Sequence, residues 1–202
     1  MAECLPGPKA ATTEALRLLP AQKVLLIAGP AGSGKTTMGA RIGRVAGWRH
    51  LSEDCVWEEL PREPHTARTE AEKAIVQRRT LGYLQAELRQ GQSVVLEFIV
   101  YDNPPQPILF YQDALEKLRV PVQIKVLRPT LQDILARQAL RANTHDRESP
   151  LAARKANAEH QLFCLYSDFI QPDWVVDSSG LSVEEVYARH FAPIVNRTGT
   201  NG

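Results

Sequence analysis

The part of the sequence that most constrains the fold is an apolar run that ends in a glycine-rich stretch. Residues 23–28, KVLLIA, show no polar alternation, as expected of a strand buried on both faces of a parallel sheet. Residues 29–36 read GPAGSGKT, and residues 37–46 have the pattern of a helix. A buried strand, a glycine-rich turn and a helix in immediate succession predict an α/β fold.

The turn satisfies the pattern G-x-x-x-x-G-K-[ST], the P-loop motif, in the strand–loop–helix context that the motif requires. Its glycines let successive backbone N–H groups point inward, and the following helix adds the positive potential of its N-terminus, so the loop predicts a phosphate site. We expect Lys35 to reach the β- and γ-phosphates of a nucleotide and the Thr36 hydroxyl to ligate Mg²⁺. The predicted nucleotide-binding residues are Gly29, Pro30, Ala31, Gly32, Ser33, Gly34, Lys35, Thr36 and Thr37.

Beyond the motif, apolar runs alternate with segments of helical periodicity. Further strands are predicted at 48–52, 93–100, 122–127 and 173–176, and helices at 37–46, 69–89, 108–118, 131–141, 150–166 and 182–190. The alternation implies a parallel sheet covered on both sides, with the ligand at the carboxyl ends of the strands. The length of 202 residues fits a single domain, 1–202, with a lead-in at 1–20 and a lid region at about 137–155.

Composition narrows the classes of partner. Lys and Arg number 24 against 23 acidic residues, so no charge excess favours a nucleic-acid groove or an anionic membrane surface. The three cysteines form no C-x-x-C pair, and the five histidines have no metal-ligand spacing. Neither a signal peptide nor a membrane span is visible, and we expect a cytoplasmic protein.

Asp54 follows the second predicted strand and is expected at the same sheet edge as the P-loop. A carboxylate there can take the proton of a phosphoryl acceptor, orient the acceptor toward the γ-phosphate, or interact with Mg²⁺ through water. The alternative is a structural role as a helix N-cap, because Ser52 and Asp54 precede a helical stretch.

Glu97 lies inside the third predicted strand, SVVLEFIV, where an unpaired carboxylate is costly and needs a partner. It occupies the place of a Walker-B-like acid, which predicts a role in holding Mg²⁺. The alternative is a contact with a structural arginine or with the substrate. Asp102 is a second, less favourably placed candidate.

Arg137 and Arg141 are one helical turn apart and share a face, and Arg147 follows in a polar stretch. Guanidinium groups from a closing segment can stabilise the charge that develops on a transferred phosphoryl group. We therefore predict catalytic roles for Arg141 and Arg147. The alternative is a solvated helix face on which Asp133 pairs with Arg137.

The order of these parts resembles the small P-loop kinases, the family that includes shikimate, gluconate and nucleoside monophosphate kinases and chloramphenicol phosphotransferase. The resemblance covers most of residues 22–190 and implies a three-layer P-loop NTPase sandwich whose five-stranded parallel sheet has the order 2-3-1-4-5. It implies that Asp54 binds the acceptor or acts as catalytic base. It also implies that Arg137 and Arg141 flank the adenine and phosphates of ATP, and that the segment with Ser178 and Ser179 borders the adenine.

The chain departs from individual members of that family. It has no shikimate-type glycine triplet, no gluconate-type lid signature and no adenylate-kinase zinc site, so the acceptor stays open. The expected activity is transfer of the γ-phosphoryl group of ATP, with Mg²⁺, to a small-molecule acceptor by a monomer or homodimer. The alternatives are a nucleotide-dependent switch or ATPase acting on a protein partner, and a polynucleotide-end kinase, which the balanced charge disfavours.

Overall fold

The structure, a computed structural model, describes residues 22–61, 68–140 and 150–196. The strands are β1 (Val24–Ala28), β2 (Arg49–Ser52), β3 (Val94–Phe98), β4 (Val122–Leu127) and β5 (Val175–Val176). The helices are α1 (Lys35–Ala46), α2 (Glu53–Glu58), α3 (Glu70–Arg89), α4 (Gln106–Lys117), α5 (Leu131–Leu140), α6 (Leu151–Cys164), α7 (Val183–Val186) and α8 (Ala192–Val195). The predicted lead-in, residues 1–20, and residues 141–149 of the predicted lid lie outside the described residues.

The five strands form one sheet in the order β2-β3-β1-β4-β5, and every pairing is parallel. This order confirms the one implied by the family resemblance. Because all strands run the same way, the carboxyl ends of β1, β2 and β3 meet at one edge. The register places Ser52 at the end of β2 beside Glu97 of β3, which lies beside Ile27 of β1.

Helices cover both faces of the sheet. One face contributes Leu26, Leu96 and Val126 to a core with residues of α2, α3 and α4. The other face contributes Leu25, Ile27 and Val95 to a second core with α1 and the C-terminal helical segment. These two cores produce the three-layer arrangement that was expected, and Glu97 has the same strand parity as Val95, which points it toward α1.

The structure differs from the sequence prediction in three short elements. The predicted strand at 173–176 is a 3₁₀ turn, Pro172–Trp174, followed by only two strand residues, Val175–Val176. The predicted helix at 182–190 is α-helical over Val183–Val186 and then widens into a π-helix over Tyr187–Phe191. Pro193 follows this widened turn and cannot donate a backbone hydrogen bond to it.

The third difference is α2, a short helix directly after β2, for which the sequence indicated a helical stretch after Ser52 and Asp54 without giving its bounds. Among the described helices, none is both long and apolar enough to span a membrane.

Candidate active site

The P-loop has the backbone geometry that its glycines allow. Gly32 and Gly34 have φ values of 95° and 100°, in the left-handed region that favours glycine. A Cβ atom added to Gly29 would lie 2.7 Å from Ser33 Oγ and 2.8 Å from the Leu127 carbonyl oxygen. A side chain at Gly29 would therefore force the loop to shift. The motif begins directly after β1 and runs into the first two residues of α1.

Lys35 and Thr36 are the first two residues of α1. The Lys35 side chain is buried, and its Nζ donates a hydrogen bond to the Pro30 carbonyl oxygen at 3.0 Å, so the ammonium group lies over the loop. Thr36 is exposed, and its hydroxyl donates to Glu97 Oε2 at 2.9 Å. The loop thus brings an ammonium group, a hydroxyl group and a carboxylate together at the N-terminus of α1.

Glu97 is buried, and its contacts are with residues around the P-loop. Besides the Thr36 hydroxyl, its other oxygen, Oε1, lies 3.3 Å from His50 Nε2, close enough for attraction but without hydrogen-bond geometry within the described residues. Burial raises the pKa of Glu97, but His50, the positive charge of Lys35 and the Thr36 hydrogen bond outweigh it and hold that pKa below its usual value. Among the described residues, the groups next to the Glu97 carboxylate are those of the P-loop helix and His50, and its role toward Mg²⁺ or a substrate stays a prediction.

His50 was not predicted as a site residue. Its ring lies against Gly39 of α1, where an added Cβ atom would come within 2.4 Å of Nε2. The signal that could have found it is the combination of a glycine inside a helix and a histidine in the strand beside Glu97. Local periodicity alone does not show the contact between His50 and Glu97, because the two residues are 47 positions apart in the sequence.

The outer side of the P-loop is held by two glutamines that the sequence analysis did not single out. Gln161 of α6 accepts a hydrogen bond from the Ala31 N–H at 2.8 Å, and Gln138 of α5 donates to the Ala31 carbonyl oxygen at 2.9 Å. Both glutamines are buried. Ala31 is therefore fixed by these two helices rather than presenting its own N–H to the inside of the loop.

Arg137 lies between the P-loop and the segment after β5. Its guanidinium donates to the Ser33 carbonyl oxygen at 3.1 Å and to the Ser178 carbonyl oxygen at 2.7 Å. The predicted alternative, a pair with Asp133, is not formed, because Asp133 accepts from the Thr130 hydroxyl instead. Arg137 is thus placed beside the phosphate loop, as the family resemblance implied.

A cavity of about 330 Å³ opens beside Arg137. It is largely apolar, and its lining includes Gly34, Thr37, Met38, Leu127, Ser178 and Leu181. Ser178 reaches this cavity, whereas the Ser179 hydroxyl accepts a hydrogen bond from the Thr130 N–H at 2.9 Å and donates to Asp177. Of the two serines expected near the base, the structure brings only Ser178 to the cavity wall.

Asp54 lies in the first turn of α2, at the carboxyl end of β2. Its carboxylate is 50% exposed and lies 4.0 Å from an Arg68 guanidinium nitrogen. Ser52 holds the N-cap position without a side-chain capping bond, so neither residue forms the N-cap interaction considered above. Arg141 and Arg147, the predicted catalytic arginines, lie outside the described residues.

The neighbouring Glu53 is fully inside the protein and was missed by the sequence analysis. It accepts a hydrogen bond from the Tyr111 hydroxyl at 2.6 Å. Burial, with a smaller contribution from Asp54, raises the pKa of Glu53 to about 7 against the opposing effect of that hydrogen bond. The signal was present in the sequence, because Glu53 has helical spacing with the buried Val56 and Trp57.

The P-loop, Thr36 and Glu97 together fit a nucleoside triphosphate and a divalent cation. The loop keeps its tight path because Gly29 has no side chain to collide with Ser33 and Leu127, and Thr36 and Glu97 supply hydroxyl and carboxylate oxygens, the ligand types that Mg²⁺ prefers. The described residues contain no cluster of three or more His, Cys, Asp or Glu side chains able to hold a metal. Two protein oxygens are consistent with a cation that takes its other ligands from phosphates and water.

The comparisons with known proteins agree with this geometry. The AAA domain family matches residues 24–164, which is more than half of the chain. The chain belongs to the AAA domain family. A search of curated proteins found no sequence match to this chain.

Solved structures share the fold. The tunicamycin resistance protein of Deinococcus radiodurans superposes with a TM-score of 0.63 at 18% identity, covering 86% of this chain and 95% of that one. APS kinase CysC of Mycobacterium tuberculosis, in complex with AMPPNP and APS, superposes with a TM-score of 0.57 at 16% identity, covering 84% of this chain and 96% of that one. A gluconokinase of Sinorhizobium meliloti 1021 superposes with a TM-score of 0.54 at 14% identity, covering 87% of this chain and 92% of that one. This AAA domain therefore has the fold of the small-molecule P-loop kinases, as its sequence resemblance implied.

Proposed function

We propose that this protein is a phosphotransferase that moves the γ-phosphoryl group of ATP to a small-molecule acceptor. The observation that carries the proposal is the convergence of Lys35, Thr36 and the buried Glu97 at the N-terminus of α1. That convergence lies at the sheet edge where a carboxylate pair, Glu53 and Asp54, follows β2. A phosphate cradle next to acceptor-side carboxylates suits phosphoryl transfer better than nucleotide binding alone.

Each residue of the cradle has a role in this proposal. The backbone N–H groups of Gly32 and of residues 34–36, with the Lys35 ammonium, bind and orient the phosphates, and so offset the charge that spreads over the γ-phosphoryl oxygens. Thr36 and Glu97 would hold Mg²⁺, which when bound neutralises phosphate charge. His50 keeps the Glu97 carboxylate turned toward Thr36.

The cavity beside Arg137 suits the base and ribose of the nucleotide. Its apolar wall can pack against a planar base, and Arg137, already fixed on the Ser33 and Ser178 carbonyl oxygens, supplies a positive charge close to the phosphates. Asp54 orients the acceptor or takes its proton. The roles of Arg141 and Arg147, the bound Mg²⁺ and the cytoplasmic location stay predictions from the sequence.

The test is ADP release from Mg·ATP in the presence of a panel of metabolites and antibiotics. We expect at least one acceptor to raise the rate well above that with buffer alone. Lys35→Ala should abolish this stimulation, since the ammonium group that contacts the phosphates is lost. The control is Lys117→Ala, which removes an exposed lysine paired with Asp113 on α4 and should leave the rate unchanged.

Two results would contradict the proposal. Near-normal phosphorylation by Lys35→Ala would remove the P-loop from the chemistry. ADP release that is indifferent to every small molecule but stimulated by a protein would instead favour the nucleotide-dependent switch.

A further inference from the structure

Strand β4 carries polar side chains on one of its two faces. Its sequence, VQIKVL, alternates, so Gln123 and Lys125 lie on the face opposite the buried Ile124. β4 lies between β1 and β5, and the interior strands of a parallel sheet are usually apolar on both faces. The polar face of β4 therefore needs an explanation, which the phosphate site at the other end of the strands does not give.

The strand register shows which face of the sheet this is. Gln123 is in register with Leu25 of β1, and Lys125 is in register with Ile27. Both β1 residues are completely buried in the core formed with α1 and the C-terminal helical segment. Their neighbours in β4 are not, since Gln123 is exposed and Lys125 is partly exposed. The helical cover of this face therefore stops short of the first residues of β4.

A cavity of about 440 Å³ lies at this uncovered place, and we call it the amino-edge cavity. Its lining includes Lys23, Gln123, Lys125, Arg189, His190 and Ile194. It lies at the amino edge of the sheet, because Lys23 directly precedes β1. The five residues of β1 separate it from the P-loop, a distance of about 17 Å at about 3.3 Å per residue. Its volume is within the range of small-molecule sites, roughly 300–1,000 Å³.

The charged side chains of the amino-edge cavity have one sign. Among the described residues that line it, none is acidic, and the basic ones are Lys23, Lys125, Arg189 and His190. In a chain with almost equal numbers of basic and acidic residues, this is a local excess of positive charge. Burial and the positive charges of Lys125 and Arg189 lower the pKa of His190. These groups are therefore close enough to repel one another, and an anion between them would offset the repulsion.

The described contacts of Lys125 and Arg189 do not neutralise their charges. Lys125 Nζ donates a hydrogen bond to the Asp173 carbonyl oxygen at 2.7 Å, and a carbonyl group carries no net charge. The Arg189 guanidinium lies 3.4 Å from Glu185 Oε1, but both side chains are about half exposed, so solvent weakens this pair. A multiply charged anion in the cavity would therefore meet a positive potential.

The π-helix Tyr187–Phe191 brings two of the basic residues to the cavity. In a regular α-helix, consecutive side chains point about 100° apart. More residues share each turn of a π-helix, so the angle between neighbours is smaller, and Arg189 and His190 both line the cavity. Widened turns of this kind are frequent at functional sites.

We propose that the amino-edge cavity is a ligand site separate from the P-loop, and that its ligand is a phosphorylated metabolite. The basic side chains bind the phosphate monoester group, which carries about 1.5 to 2 negative charges at neutral pH. Pro121, Pro193 and Ile194 provide an apolar wall for the rest of the molecule. The volume suits a molecule of the size of a sugar phosphate rather than an inorganic ion alone. This site does not depend on the proposed function, because none of its residues belongs to the phosphate cradle.

The first experiment is calorimetric titration of the full chain with glucose 6-phosphate, a nucleoside 5′-monophosphate and inorganic phosphate, and with glucose as the uncharged partner of the first probe. Each titration is run with and without a saturating non-hydrolysable ATP analogue and Mg²⁺. We expect at least one phosphate monoester to bind once per chain, and glucose not to bind. The analogue should leave this affinity unchanged, because the two sites lie at opposite edges of the sheet.

Two substitutions place the bound anion. Lys125→Gln and Arg189→Gln each remove one positive charge of the cavity, and each should weaken binding of the monoester about 10-fold or more. The matched control is Lys117→Gln, which removes the charge of an exposed lysine paired with Asp113 on α4 and should bind like the parent. Equal unfolding temperatures of the ligand-free proteins would show that the variants are folded.

His190 gives a readout at the site itself. A bound phosphate group favours the protonated ring, so the pKa of His190, measured by NMR titration of its ring signals, should be higher with the monoester than without it. The other charged groups near this ring are Lys23 before β1, Lys125 of β4, and Arg189 with its partner Glu185 on the C-terminal helical segment. Their charges do not change near neutral pH, so the change can be assigned to the ligand.

Several results would overturn the proposal. If none of the three phosphate probes binds at up to about 10 mM, the cavity is not a phosphate site. Displacement of the monoester by the ATP analogue would place the anion in the P-loop, and equal affinities of the parent and Lys125→Gln would place it elsewhere on the surface. Glucose binding as tightly as its phosphate would remove the role of the charge.

Discussion

At the scale of single residues, two buried glutamates, Glu97 in β3 and Glu53 at the start of α2, respond to pH in opposite directions. The pKa of Glu97 is held below its usual value, so Glu97 contributes stability above the pKa of an unfolded glutamate and loses it only as the pH falls through the lowered value. The pKa of Glu53 is raised to about 7, so folded Glu53 keeps a proton that the unfolded chain releases near pH 4.5. Between pH 4.5 and 7, therefore, stability should fall because of Glu53.

The expected size of this fall is about 3 kcal/mol in the free energy of unfolding, since one pKa unit corresponds to about 1.4 kcal/mol. Urea denaturation of the parent and of Glu53→Gln at pH 5 and pH 8 measures it. The variant should lack the decrease, and the difference between the two proteins isolates Glu53 from His190, whose pKa burial lowers in both. Equal pH dependence in parent and variant would show that Glu53 is not buried as an acid.

At the scale of elements, the close approach of α1 to β2 depends on Gly39. An alanine there would place its Cβ 2.4 Å from Nε2 and 2.5 Å from Cδ2 of His50. Gly39→Ala should therefore destabilise the fold by about 1–3 kcal/mol and push the His50 ring away from Glu97. Thermal or urea unfolding measures the loss.

Gly82→Ala provides the matched control, because Gly82 lies inside α3 and an added Cβ would meet nothing within 4 Å. It should stabilise the protein by about 0.5–1 kcal/mol through higher helix propensity. If Gly39→Ala behaved in the same way, the packing of His50 against α1 would be wrong.

A feature of the structure could be predicted from the sequence where the residues that specify it are close together in the chain. The P-loop could be predicted because eight consecutive residues carry its geometry, and β1 and β3 because each lies in a largely apolar run. The contact of His50 with Glu97 joins residues of two strands, and the glutamines that hold Ala31 come from two different helices. Glu53 was overlooked in favour of Asp54, although its helical spacing with Val56 and Trp57 puts it on the buried face of α2.

At the scale of the whole molecule, the strand order could be anticipated only through the family resemblance, since no local pattern in the sequence indicates which strands are neighbours. Once the order is known, its consequence for function is direct. The sheet brings the ends of β1, β2 and β3 together, although these strands are separated by two helical crossovers. A ligand bound across that edge connects segments that otherwise meet only through the sheet, and so should stabilise the entire fold.

Binding of Mg·ATP should accordingly raise the unfolding temperature. A ligand present at 100 times its dissociation constant adds about 2.7 kcal/mol to the stability of the folded state, which for a chain of this size corresponds to about 5–10 °C. Lys35→Ala should lose most of this shift, whereas Lys117→Ala should retain it, because only Lys35 lies over the phosphate loop. The same thermal unfolding measurement with Mg·GTP compares how well adenine and guanine fit the cavity beside Arg137. If the parent melts at the same temperature with and without either nucleotide, the loop does not bind a triphosphate, because any ligand that binds only the folded chain must raise that temperature.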